Sequence, residues 1–258
     1  MSLRVIDWSL FLKDASREKI ALTIGVFDGL HLGHRELIKR IVKRGPNPTV
    51  FTFRIHPKGT ISPGSYEGDI FSPRQKLAAL EQMGVEQAVL IDFSRDFSRL
   101  KGKEFFDLLN GCAEIVFLCI GSNFRCGYQQ DTDAEAVRIM YDKKGIPAEV
   151  VEPLINGTEP VSSSRVRAAV KSGDFTLAAA LMGRNFELDL EGFSPEYIRS
   201  GEQVYDLRTG RQIIPMEGNY KVLIQPGAFK GQAVVHKGKI ILSGENDQGP
   251  HESLEFIT

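Results

Sequence analysis

Residues 114–120, Glu-Ile-Val-Phe-Leu-Cys-Ile, form a run with almost no polar position. It lacks the alternation of a strand that faces water on one side. A strand of this kind is stable in a sheet covered on both faces, which is the setting of parallel sheets with helices above and below. The neighbouring segments fit that setting. Residues 21–27 are apolar and β-branched, break at Asp28-Gly29, and give way to Leu37, Ile38, Ile41 and Val42 at helical spacing. Residues 49–53, 85–91 and 148–151 read as further strands. Residues 72–83, 102–109, 133–144 and 162–171 read as helices, with stops at Gly84 and Gly145. The alternation predicts an α/β fold with a Rossmann-like, doubly wound parallel sheet, whose ligands sit at the carboxyl ends of the strands.

After Gly183-Arg184-Asn185 the helical signals stop. Short strand-like runs at 219–224, 232–236, 239–242 and 253–257 follow, punctuated by glycines, which predicts a small β domain that is barrel-like or an open sheet. The expected organisation is therefore a ligand-binding domain over 1–185 and a β domain over 186–258, and 258 residues suffice for both.

Composition narrows the function. A net charge of −1 gives no broad electrostatic footprint for nucleic acid or an anionic membrane, so small ligands are the expected partners. The longest apolar runs are too short to span a bilayer, and no signal-peptide core opens the chain; a cytoplasmic protein is expected. Cys112, Cys119 and Cys126 form no CxxC pair and, being odd in number, no disulfide framework; Cys112 and Cys119 read as small buried residues.

The strongest chemical feature is residues 25–34, Gly-Val-Phe-Asp-Gly-Leu-His-Leu-Gly-His, between a buried strand and a helix. Helix amino termini leave N–H groups unpaired and carry positive partial charge, so a phosphate is stabilised there. Gly25, Gly29 and Gly33 allow a tight turn and close approach. His31 and His34, three apart, can direct imidazole N–H groups at one phosphate chain, whereas a bare His-x-x-His would equally suit a structural pair or a metal. Asp28 either contacts a ligand or fixes the loop through backbone N–H groups. Donors so placed suit attack by a phosphate oxygen on the α-phosphorus of ATP, where charge builds on the equatorial oxygens and on pyrophosphate.

Three more segments carry chemistry. His56-Pro57 ends the strand at 49–53 and by itself reads as a turn. Residues 121–127, Gly-Ser-Asn-Phe-Arg-Cys-Gly, follow the apolar strand; they are either a tight turn or a ligand loop offering the Asn123 amide and the Phe124 face. Residues 162–167, Ser-Ser-Ser-Arg-Val-Arg, open a helix with hydroxyls that cap N–H groups or bind phosphate, beside the donors of Arg165 and Arg167.

Taken together these segments resemble the HxGH nucleotidyltransferase superfamily, specifically the FMN adenylyltransferase module of bacterial FAD synthetases, over residues 22–184. Residues 25–34 match the fixed positions of that family's G-x-F-D-G-x-H-x-G-H. Residues 52–57 resemble T-F-x-P-H-P, with Ile55 in place of the first proline; 121–127 resemble G-x-[DN]-F-x-x-G; and 161–167 resemble I-S-S-T-x-I-R. The resemblance implies a FAD synthase that moves AMP from ATP to FMN. It implies His31, His34 and Arg165 as catalytic, and Gly25, Phe27, Asp28, Gly29, Gly33, Gly121, Asn123, Arg125, Ser163 and Ser164 as ATP-binding. His56, Pro57 and Phe124 would lie on the FMN side. Mg²⁺ is expected with ATP, held through phosphates and water, and no side chain is assigned to it.

Such enzymes usually carry a riboflavin kinase module marked by G-[FY]-P-T-A-N. That signature is absent, and the only Pro-Thr pair is Pro48-Thr49. Residues 213–222 resemble faintly the entry of that module, so the tail reads as a reduced relative without kinase activity. Two alternatives remain at this level: an HxGH transferase for phosphopantetheine or nicotinate mononucleotide, and a non-catalytic flavin- or nucleotide-binding regulator.

Overall fold

The strand at 114–120 lies inside a parallel sheet with helices on both faces, as its composition requires. A computed structural model describes residues 2–14, 16–61, 64, 66–94, 96–197, 202–244 and 251–257. The elements of the first part are β1 (Arg4–Asp7), α1 (Trp8–Phe11), β2 (Lys19–Ile24), α2 (Leu32–Arg44), β3 (Pro48–Phe53), α3 (Pro57–Ile61), α4 (Pro73–Gln82), β4 (Gln87–Ile91), α5 (Gly102–Cys112) and β5 (Glu114–Gly121). They continue with β6 (Arg125–Cys126), β7 (Thr132–Asp133), α6 (Ala134–Asp142), β8 (Ala148–Val151), β9 (Ile155–Asn156) and β10 (Glu159–Pro160). The sheet has six strands in the order β1-β4-β3-β2-β5-β8, parallel throughout. One face packs Ile20, Leu22, Ile24, Leu118 and Ile120 against Phe105, Phe106 and Leu109 of α5 and Val137 and Tyr141 of α6. Helix α2 covers the other face and buries Leu37, Ile38 and Ile41. Val42, expected with them, is turned outward and is 36% exposed.

From β2 the chain builds outward through β3 and β4, then crosses back to lay β5 and β8 on the other side of β2. The order thus reverses between β2 and β5. In open α/β sheets the crevice outside the strand ends at such a reversal is where ligands bind.

The remaining elements are α7 (Ser163–Lys171), α8 (Phe175–Met182), β11 (Glu187–Asp189), β12 (Glu196–Tyr197), β13 (Gln203–Asp206), β14 (Gly218–Gln225), β15 (Phe229–His236), β16 (Lys239–Gly244) and β17 (Ser253–Ile257). The strands form one antiparallel sheet of seven, β11-β17-β14-β15-β16-β13-β12, in which β11 and β12 are the edges. The four strands read from the tail are all present, somewhat longer at their ends in three cases.

By packing, the chain divides into residues 1–66 with 76–160, and 67–75 with 161–258. This division falls elsewhere than 185/186, for a physical reason. The Phe175 ring of α8 stacks on Phe256 at 4.4 Å and on Phe186 at 6.1 Å, and Tyr220 meets it edge-on at 5.3 Å, so α7 and α8 share the core of the β sheet. Residues 67–75 are held there by polar bonds. Asp69 N–H donates to the Arg211 carbonyl and Ile213 N–H to the Asp69 carbonyl, both at 2.8 Å. The Gln212 amide donates to the carbonyls of Ile70 at 2.9 Å and Glu187 at 2.7 Å. Asp189 accepts from Arg74 at 2.9 Å and from the Ser72 hydroxyl. Ser72 and Gln75 exchange side-chain-to-backbone bonds at 3.1 Å, a capping box that starts α4 where the sequence placed it.

Candidate active site

Three of the chemistry-bearing segments leave the same edge of the parallel sheet. Residues 25–31 follow β2, His56-Pro57 follow β3, and Ser122 to Arg125 follow β5. The first and third flank the reversal of strand order between β2 and β5.

The turn after β2 is tightly bent, with positive φ at Phe27 (51°), Gly29 (75°) and Leu30 (40°). Non-glycine residues held in this region store strain and mark places where surrounding structure dictates the backbone. Phe27, Leu30 and Asp28 are buried, the last at 2% exposure, so the turn is packed from within. It delivers His31 as the residue that caps α2: His31 Nδ1 accepts the His34 backbone N–H at 3.4 Å. The His31 and His34 rings stack at 3.7 Å, and Phe27 meets His34 edge-on at 5.2 Å. A Cβ on residue 33 would stand 3.2 Å from His31 Cε1, so Gly33 leaves the space in which the His31 ring folds over the first turn.

Because Nδ1 of His31 accepts, its proton sits on Nε2, which is the donor left for a ligand. Burial pushes the His31 imidazolium down to about 4. His34 is held well below its usual range by burial, then by the charges of His31 and Lys76. His34 Nδ1 is shut off from solvent and has no hydrogen-bond partner among the described residues. Both rings are therefore neutral at pH 7 and serve as hydrogen-bonding groups at the positive end of α2, beside the first-turn amides of Leu32 and Gly33.

His56 is engaged locally. Its Nδ1 accepts the Lys58 N–H at 3.1 Å at the start of α3, and its ring lies 4.8 Å from Tyr66. Arg54 beside it pairs with Asp7 and with Asp92 at 3.1 Å. In the loop after β5, Asn123 is exposed, with Oδ1 3.0 Å from where a Cβ on Gly121 would be. Phe124 packs partly into the hydrophobic core, and Arg125 is exposed and donates to the Phe124 carbonyl at 2.9 Å.

Ser162 caps α7, its hydroxyl accepting the Arg165 N–H at 3.3 Å, which is the simpler of its two readings. Ser163 and Arg165 are half-buried and Ser164 exposed. All belong to the second unit. Arg167 is buried and donates to the Gly68 carbonyl at 2.9 Å, which makes it a structural arginine. Cys119 and Cys126 are pushed up to about 12 by burial, so neither offers a thiolate. Among the described residues no three His, Cys, Asp or Glu side chains gather as a metal cage. No helix among them is long and apolar enough to cross a membrane.

Two features escaped sequence reasoning. One is Lys76, buried at 7% exposure on α4. The other is a cavity of about 360 Å³ lined by Trp8, Ser9, Asp92, Ser94, Asp96 and Phe97, built where β1 and β4 end.

Residues 13–165 match the FAD synthetase family. The bifunctional riboflavin kinase/FMN adenylyltransferase of Escherichia coli K12 is 27% identical over 218 residues, covering 82% of this chain and 70% of that protein. The Bacillus subtilis enzyme of the same name is 30% identical over 174 residues, 65% of this chain and 54% of its own. A solved structure of a macrolide-efflux protein from Streptococcus pneumoniae superposes with a TM-score of 0.83 at 23% identity, over 99% of this chain and 90% of that one. This last likeness concerns the fold.

Proposed function

The chain belongs to the FAD synthetase family, and we propose that it is an ATP:FMN adenylyltransferase without riboflavin kinase activity. The observation that carries this reading is the neutral, stacked His31–His34 pair at the start of α2, beside the reversal of strand order. In the proposed step a phosphate oxygen of FMN attacks the α-phosphorus of ATP in line. The bond from the α-phosphorus to the bridging oxygen breaks, its electron pair leaves on pyrophosphate, and AMP remains joined to FMN as FAD. Charge that grows on the transferring group meets the Nε2–H of His31, the His34 ring and the amides of α2, which need no reorganisation at the moment of reaction.

Gly25, Phe27, Asp28, Gly29 and Gly33 shape the ATP side of the turn. Gly121, Asn123 and Arg125 are proposed for the nucleoside, and Ser163, Ser164 and Arg165 for the β- and γ-phosphates. His56, Pro57 and Phe124 are proposed for the FMN side, His56 and Phe124 through their exposed edges, since each is also tied locally. Mg²⁺ enters with ATP, held by its phosphates and water. The catalytic function is proposed for residues 1–185, in the cytoplasm, with 186–258 as a reduced relative of the kinase module; the missing Pro-Thr signature supports the loss of that activity.

Incubation with ATP, Mg²⁺ and, separately, FMN, riboflavin, phosphopantetheine or nicotinate mononucleotide tests this by product chromatography. FAD and pyrophosphate are expected from FMN and no FMN from riboflavin. A different adenylylated product, or flavin binding without pyrophosphate release, would overturn the reading.

A further inference from the structure

Burying an ammonium is costly unless it is well bonded, and Lys76 has its bonds at a telling place. Its Nζ donates to the Val26 carbonyl at 3.3 Å and to the Phe53 carbonyl at 3.0 Å. Phe53 is the last residue of β3, and Val26 lies two residues beyond β2. The Thr52 hydroxyl donates to the same Val26 carbonyl at 2.9 Å. Val26 is followed by Phe27, with its φ of 51° and its ring against His34. One cation thus gathers the ends of two adjacent strands and, through Val26 and Phe27, fixes the approach to His34.

We propose that Lys76 is a positioning residue for adenylyl transfer: by holding the Val26 and Phe53 carbonyls together it sets the place of Phe27 and His34 at the phosphate site. This rests on the function proposed above. Lys76 acts through His34 and not on the reacting atoms. Its charge works in the same direction as its geometry, because next to burial and the charge of His31 it helps to keep His34 neutral. A lysine that merely filled space would be replaceable by any side chain of its length.

The test is Lys76→Gln, which keeps a donor and removes the charge, with Lys76→Arg beside it. In the free protein, NMR titration of the His34 imidazole is expected to move upward in Lys76→Gln and to stay in place in Lys76→Arg. The kcat of Lys76→Gln is expected to fall by about 100-fold, with KM for ATP and acceptor within about twofold, the pattern of misplaced groups. Lys76→Arg should recover to within about tenfold of the parent. A folded Lys76→Gln with unmoved His34 and full kcat overturns the proposal. If that chain does not fold, Thr52→Val removes the hydroxyl that also donates to the Val26 carbonyl; a kcat loss of about tenfold at unchanged KM is expected, and an unchanged kcat overturns the proposal. The titration needs no substrate, and kcat is read with whichever acceptor the parent uses. Failure of the FMN assignment therefore shows separately, as the wrong product from the parent chain.

Discussion

The His31 and His34 rings lie 3.7 Å apart and nearly parallel, while His31 Nδ1 takes the backbone N–H of His34. Two imidazoles stacked so closely cannot both be charged without strong repulsion, and burial already disfavours the first charge.

Stability is expected to depend on pH through this pair. The folded state holds His31 near 4 instead of its ordinary 6.5, so between those values the unfolded chain binds the proton and the folded chain does not. Stability is then full above about pH 6.5 and declines as pH falls toward 4, by about 3 kcal/mol from His31 alone. His34, also depressed, adds in the same direction. Urea unfolding at a series of pH values checks this, and His31→Asn should flatten the slope in that window.

Replacing His31 or His34 by alanine should lower kcat by about 10²- to 10³-fold, the usual loss on removing a donor to developing charge. FMN affinity, read by flavin fluorescence, should change by less than about threefold. His31→Ala should also lower the melting temperature, since it removes a helix cap worth about 1 kcal/mol. Equal losses in turnover and FMN binding would contradict the assigned roles.

Gly127 closes the loop that begins at Asn123. Its φ is +81°, and a Cβ there would stand 2.3 Å from Gly102 N and 2.1 Å from Asp131 Oδ1, the atom that accepts the Gly102 N–H. Gly127→Ala is expected to cost about 3 kcal/mol by adding backbone strain and a clash at the start of α5, measurable as a fall in denaturation midpoint.

Asp189 is the centre of the polar bonds that hold residues 67–75. Burial alone would raise its carboxyl, yet hydrogen bonds from Arg74 and Ser72 bring it below the usual carboxylate range. Asp189→Asn is expected to destabilise the protein by about 2 kcal/mol. Amide exchange at Asp69 and Ile213, whose N–H groups bridge the segment to residues 211–213, should quicken more than exchange in β5.

The strands of the parallel sheet were legible because burial on both faces leaves nearly uninterrupted apolar runs, as at Ile115 to Ile120. The His31 turn was legible because its residue types have few other uses together. β1 was not, since Arg-Val-Ile-Asp is short and partly exposed. Nor was α8, Phe-Thr-Leu-Ala-Ala-Ala-Leu-Met, because apolar residues all round it leave no stripe to read. Lys76 and residues 67–75 depend on partners far along the chain and follow no period, so nothing local announces them. The helix starts at 72 and 162 were read to within one residue, but whether Ser162 serves its own helix is a matter of geometry that three adjacent serines do not disclose.

The excursion of residues 67–75 into the second unit also sets a timetable. Its partners Glu187, Asp189 and Gln212 come 112 to 142 positions later than the residues they bind. At ribosomal speeds of about 5–20 residues per second, the segment waits roughly 6 to 30 seconds after synthesis before those partners exist. For that interval the start of α4 has its Ser72–Gln75 capping box but not the bonds to Glu187, Asp189 and Gln212, so the strands of the parallel sheet are all synthesised before residues 67–75 can find their partners.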